Sequence, residues 1–178
     1  MSLKSSPIRF GAVAIAIHWL TALAILLLLI SGLAAANTGD AAMELNLLRA
    51  HASMGVLVGV LTVLRVVWWL FFDRRPADPA TLSRGQALAS HVVHYALYGV
   101  VLVMVASGIG TVLLSGAGAQ LTGAALLPLP DFAAVPPFTV HGLLFRLLLL
   151  LLIGHIGAAL WHQFVRRDRL MARMGAGS

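Results

Sequence analysis

The chain has 178 residues, 60% of them hydrophobic and only 10% charged, where a soluble domain carries about 25% charged, so it belongs in lipid. It has no cysteine, which excludes a disulfide framework, thiolate-bound zinc, an iron–sulfur cluster, a cysteine nucleophile and a covalently attached c-type haem; metal chemistry falls to its seven histidines. The net charge of +6 follows the membrane orientation rule instead of forming a solvated basic face, which argues against nucleic acid as a partner.

Four stretches, roughly residues 12–36, 52–72, 92–114 and 139–163, reach the ~20 apolar residues that a membrane-crossing helix needs. They predict an all-α integral membrane protein: a four-transmembrane-helix bundle, with residues 1–178 forming a single domain. Lys4 and Arg9 precede the first stretch and Ala34-Ala35-Ala36 ends it, as in a secretory signal. Its apolar run exceeds the ~7–15 residues of a signal core and it contains His18-Trp19, so it reads as a mature span. The 73–85 segment, with Pro76 and Pro79, reads as a short turn. The longer 115–138 segment, rich in glycine and proline, has room for a short interfacial helix.

Lys4, Arg9, Arg74, Arg75, Arg84, Arg166, Arg167, Arg169 and Arg173 all fall on one side of these spans. Arg49 stands alone on the other, beside Asp40, Glu44 and Asp131. The positive-inside rule therefore puts both termini in the cytoplasm. Arg65 and Arg146 remain inside spans.

A polar ring in hydrocarbon is costly unless it is paired or bound, so the histidines are the functional clue. His141 and His155 lie on span four, about four turns and about 21 Å apart, so one helix can serve two cofactors stacked across the membrane. His51 opens span two and His141 opens span four at the outer surface, which predicts an axial pair for an outer haem. His18 and His155 stand at matched depth from their basic flanks, Arg9 and Arg166, and form a second such pair. His94, about ten residues inside Arg84, is a rival at the same depth, so which two of His18, His94 and His155 bind the inner iron stays open. Two histidines per iron suit simple electron transfer. His91 and His94, at i and i+3, are candidates for hydrogen-bonding a quinone and exchanging its proton. His162, near the inner headgroups, is a further candidate, its plainer reading being a snorkelling interfacial side chain.

With Ile15-Ala16-Ile17-His18-Trp19, His51 followed by Gly55 and Arg65, His91-Val92-Val93-His94 with Tyr98 and Gly108, and His141, His155 and His162 before Arg166-Arg167-Asp168, the chain resembles the bacterial cytochrome b561 family. More distantly it resembles the di-haem cytochrome b subunits of formate dehydrogenases and hydrogenases. The resemblance implies two haems b in the bacterial plasma (inner) membrane, the outer one on His51 and His141 and the inner one on His18 and His155. Some members are superoxide oxidases that reduce ubiquinone, which would make superoxide and quinone the partners here. Others relay electrons between a redox-protein donor and quinone. Arg49, close to His51, would attract an anion, or serve as an interfacial or propionate partner. Arg65 would meet the inner haem and its propionates, since the predicted spans hold no carboxylate. Glycines 55, 59, 99, 108 and 154 would let helices pack closely or leave room for the porphyrin. Arg146 has no place in this pattern. The contrasting class is a haem-free transporter using the histidines as transient ligands, against which stands the absence of a carboxylate in the spans.

Overall fold

A computed structural model describes residues 2–125 and 128–176. Four long helices form the bundle: α1 Ala12–Asn37, α2 Ala41–Val67, α3 Arg84–Ser115 and, after the short α4 Gly118–Thr122, α5 Pro136–Trp161. α2 and α5 each continue through a π-helical turn, Trp68–Phe72 and His162–Arg166, so the apolar spans reach Phe72 and Arg166. Their length and composition suit them to cross a membrane.

Two of the helices begin well before the apolar runs that announced them. Asp40 caps α2 by accepting from the amides of Ala42 and Met43 at 2.8 and 2.9 Å, and Glu44 favours the same first turn. Ser83 and Gln86 form a capping box that starts α3. Pro136 and Pro137 open α5, where a missing amide hydrogen does no harm. The expectation that His51 and His141 open their spans is therefore corrected: α2 already runs from Ala41 and α5 from Pro136. The residues between Asp40 and His51, outside the apolar stretch, are the first turns of α2. The 115–138 segment does contain a short helix, α4, and a 3-10 turn, Phe132–Ala134.

α1 packs chiefly on α2 and α3 chiefly on α5, giving two hairpins that face each other. Their shared core is Ala24, Ile25, Val58, Val100, Val101 and Leu148. On α5, Leu148 of this core lies midway between His141 and His155. Large apolar side chains such as Leu70, Leu113, Leu150 and Phe164 are exposed on the outside, as expected of a face solvated by lipid.

Both termini lie at one end. The Phe10 amide donates to the Arg173 carbonyl at 3.2 Å, Arg173 donates to the carbonyls of Ile8 and Ala77 at 2.8 and 2.7 Å, and the Trp19 indole donates to Met174 at 3.0 Å. Ser5 donates to Asp73 through its amide and its hydroxyl, the latter at 2.8 Å, and the Trp68 indole reaches the same carboxylate at 3.2 Å. Partial burial pushes the Asp73 carboxyl up, but these bonds and that from the Arg74 amide outweigh it and hold the group below the usual carboxylate range. We call this the terminus-side end and the opposite one the far side.

Candidate haem sites and family membership

On the far side, α2 and α5 bring His51 and His141 together, their ring centroids 6.2 Å apart and their planes inclined at 68°. The His51 Nδ1 is 3.2 Å from the Ser31 hydroxyl on α1. The His141 Nδ1 is 3.0 Å from the Ser107 hydroxyl on α3 and 3.1 Å from the Met104 carbonyl. Gly32 and Gly108 lie beside the two rings: an added Cβ would stand 3.1 Å from the His51 ring and 3.4 Å from the His141 ring.

On the terminus side three rings converge. His18 on α1 and His155 on α5 have centroids 6.3 Å apart, and His94 on α3 is 5.2 Å from His155. Arg65 on α2 donates to the His18 Nδ1 at 2.9 Å and stands 5.6 Å from the Tyr98 ring centre. Its Nε is buried without a partner. Among the described residues, no group of three or more His, Asp or Glu side chains is spaced to cage a metal ion.

Residues 9–177 match the sequence model of prokaryotic cytochrome b561. The chain belongs to the prokaryotic cytochrome b561 family. It is also 29% identical, over 187 aligned positions, to Cytochrome b561 homolog 2 of Escherichia coli (strain K12), an alignment spanning 98% of this chain and 95% of that one. No solved structure matches. The cytochrome is thus a membrane b-type electron-transfer protein of bacterial type that binds haem b.

The residues present fit that group. An imidazole nitrogen stands about 2 Å from a transition metal and the ring centre a little over 1 Å behind that nitrogen, so two rings that shared one metal atom would have centres roughly 6 Å apart. His51 with His141 and His18 with His155 have that spacing; His94 and His155 are closer together. The buried, unpartnered Arg65 Nε is a donor suited to an anionic group such as a haem propionate. Of the glycines, Gly59 lies against Val105 and Gly108 against His141, while Gly55, Gly99 and Gly154 face open space.

Several residues of the cytochrome sit otherwise than their sequence context suggested. His91 lies outside the cluster, half exposed, its Nε2 3.0 Å from Asp78. His162 is not a snorkelling side chain: it is buried and bonded to Asp168. A carboxylate is therefore buried beside the last span after all, because Arg167 and Arg169 adopt left-handed backbone conformations and fold Asp168 back under the bundle. Arg49 donates to the carbonyls of Gln120 and Ala125 at 2.8 and 3.1 Å, tying α2 to the far-side loop. Arg146 is exposed on α5 and donates within its own helix, to Gly142 at 3.3 Å. Sequence reasoning missed Ser31 and Ser107, although a signal was present: the same Ser-Gly dipeptide recurs on spans one and three.

Proposed function

We propose that this cytochrome carries two haems b and connects a donor on its far side with quinone on its terminus side, most directly as a superoxide:ubiquinone oxidoreductase. The observation that carries the reading is the pair of histidine couples at one spacing, 6.2 and 6.3 Å, set about 21 Å apart along α5 with an apolar layer between them. His51 and His141 would hold one haem, His18 and His155 the other, and Arg65 would neutralise a propionate. Bound there, haem b supplies one-electron redox chemistry.

The protein's own part is to bind, insulate and move protons. The Ala24, Ile25, Val58, Val100, Val101 and Leu148 layer keeps water and ions from crossing between the two levels. With the basic flanks in the cytoplasm, the far side faces outward from the bacterial inner membrane, and the Arg49 charge draws superoxide toward His51. Two superoxide ions each give up one electron and leave as dioxygen. One quinone takes two electrons and two protons to become quinol. His94, with its Nδ1 3.3 Å from the Ser90 hydroxyl, would hydrogen-bond quinone and pass a proton. His91 with Asp78 and His162 with Asp168 are the titratable pairs nearer the aqueous end.

A second reading, a cytochrome b subunit fed by a partner dehydrogenase, draws support from Arg146, an exposed cation on the outer surface of α5. The test is to reconstitute the purified protein in quinone-containing liposomes and supply superoxide outside. Quinol formation in step with superoxide loss, and faster than in liposomes without protein, is expected. Absence of turnover from a fully haem-loaded preparation would move the assignment to the partner-fed subunit.

A further inference from the structure

We propose that Ser31-Gly32 on α1 and Ser107-Gly108 on α3 are twin positioning elements that fix the ring orientation and tautomer of His51 and His141, and thereby set the redox poise of the far-side haem alone. This rests on the reading that those two histidines are its ligands.

Each serine sits in its helix with its hydroxyl donating to the carbonyl three residues back, Ser31 to Leu28 at 3.2 Å and Ser107 to Met104 at 2.8 Å. A hydroxyl has one hydrogen and two lone pairs. With the hydrogen given to the helix, what it offers the imidazole is a lone pair. The ring nitrogen 3.2 Å from Ser31 and 3.0 Å from Ser107 must then be the donor, so Nδ1 carries the proton and Nε2 keeps the lone pair that a metal needs. The Met104 carbonyl, 3.1 Å from the His141 Nδ1, is also only an acceptor and selects the same tautomer.

The glycine next in sequence completes each element. With no side chain it leaves the ring standing close to the helix; an added Cβ at Gly32 would lie 3.1 Å from the His51 Cε1 and 3.3 Å from its Nδ1, and one at Gly108 3.4 and 3.6 Å from the same atoms of His141. Serine orients and glycine makes room. The arrangement occurs once in each hairpin, so each far-side ring is held from the other long helix of its hairpin.

The terminus-side level lacks this device. There the His18 Nδ1 is 2.9 Å from Arg65, which can only donate, so this contact leaves the ring proton on Nε2; for Nε2 to bind a metal, Arg65 would turn from that nitrogen toward an anionic group such as the propionate assigned to it, and a cation would still stand beside the ring. Hydrogen bonding from Nδ1–H to an acceptor makes an imidazole a stronger donor to its metal and favours ferric iron. Losing the serines should therefore raise the far-side midpoint potential and leave the other where it is, with a smaller share from Ser107, because the Met104 carbonyl remains as an acceptor for His141.

The test is a potentiometric titration of the detergent-purified cytochrome, with haem counted per chain, for wild type, Ser31→Ala, Ser107→Ala, the double alanine variant, the two serine-to-threonine variants and Ser53→Ala. Ser53 bonds within its own helix, to the Arg49 carbonyl at 2.9 Å, and serves as the control. The component that disappears in His51→Ala identifies the far-side haem. Expected is a positive shift of that component in each alanine variant, larger in the double, with return toward wild type in the threonine variants and no shift in Ser53→Ala. Selective loss of the far-side haem with threonine rescue also supports the proposal, since removing such contacts weakens metal binding about 10–100-fold. A double alanine variant that binds both haems with both midpoints unmoved overturns it. If His51→Ala itself keeps both haems, the failure lies in the ligand assignment.

Discussion

The two ends of this bundle hold histidine pairs at nearly the same spacing but by opposite means. On the far side the rings are backed by glycine and bonded to neutral hydroxyls. On the terminus side one ring is bonded to a guanidinium and a third histidine crowds in. The difference teaches that spacing sets where a cofactor can sit, while the groups behind the ligands set what it does there. A neutral acceptor favours the oxidised metal and a nearby cation the reduced one, so on the proposed two-haem reading electrons would run downhill from far side to terminus side.

The largest expected effect comes from the ligands. His51→Ala or His141→Ala should remove the far-side haem and keep the other. His18→Ala or His155→Ala should do the reverse. His94→Ala should keep both, seen as two haems per chain by pyridine haemochrome; one haem in that variant would exchange the roles of His18 and His94. Next is Arg65→Met. It withdraws the cation that stands beside His18, and the terminus-side midpoint should move to more negative potential while the far-side one stays. An unmoved midpoint would break the contrast drawn above.

Gly32→Ala and Gly108→Ala sharpen it further. The former meets its ring at 3.1 Å and the latter at 3.4 Å, so Gly32→Ala should lower far-side haem occupancy and Gly108→Ala change it little. Equal losses would mean that the glycines do not act through the rings.

The smallest effect lies at the terminus-side cap. The Asp73 carboxyl, held below its ordinary range by Ser5, Arg74 and Trp68, contributes stability present above the ordinary carboxylate pKa and lost as pH falls through its lowered value. Asp73→Asn should give a modest rise in proteolysis of the N-terminal segment at neutral pH, and this difference from wild type should shrink in acid. A difference that persists unchanged in acid would remove Asp73 from the cap.

Much of this architecture was legible in the amino-acid order because lipid imposes few choices. Apolar runs long enough to span announced the four helices, and basic residues bunched at one end marked the side on which both termini meet. Helix starts were less legible, since Asp40 and Ser83 cap polar turns that hydropathy counts as loop. Placing His51 and His141 at one outer surface anticipated that they meet, whereas depth from the basic flanks could not separate His18 from His94; the structure brings both rings near His155, at 6.3 and 5.2 Å. His162 misled for a different reason. Its partner Asp168 lies beyond the span, and only the left-handed turns at Arg167 and Arg169 return it to the bundle.

The most direct test of the central claim is the number of haems b per polypeptide in the purified wild-type protein, read by pyridine haemochrome against protein mass. Two per chain is the predicted result. A fully loaded preparation that holds only one would contradict a second histidine couple acting as a haem site.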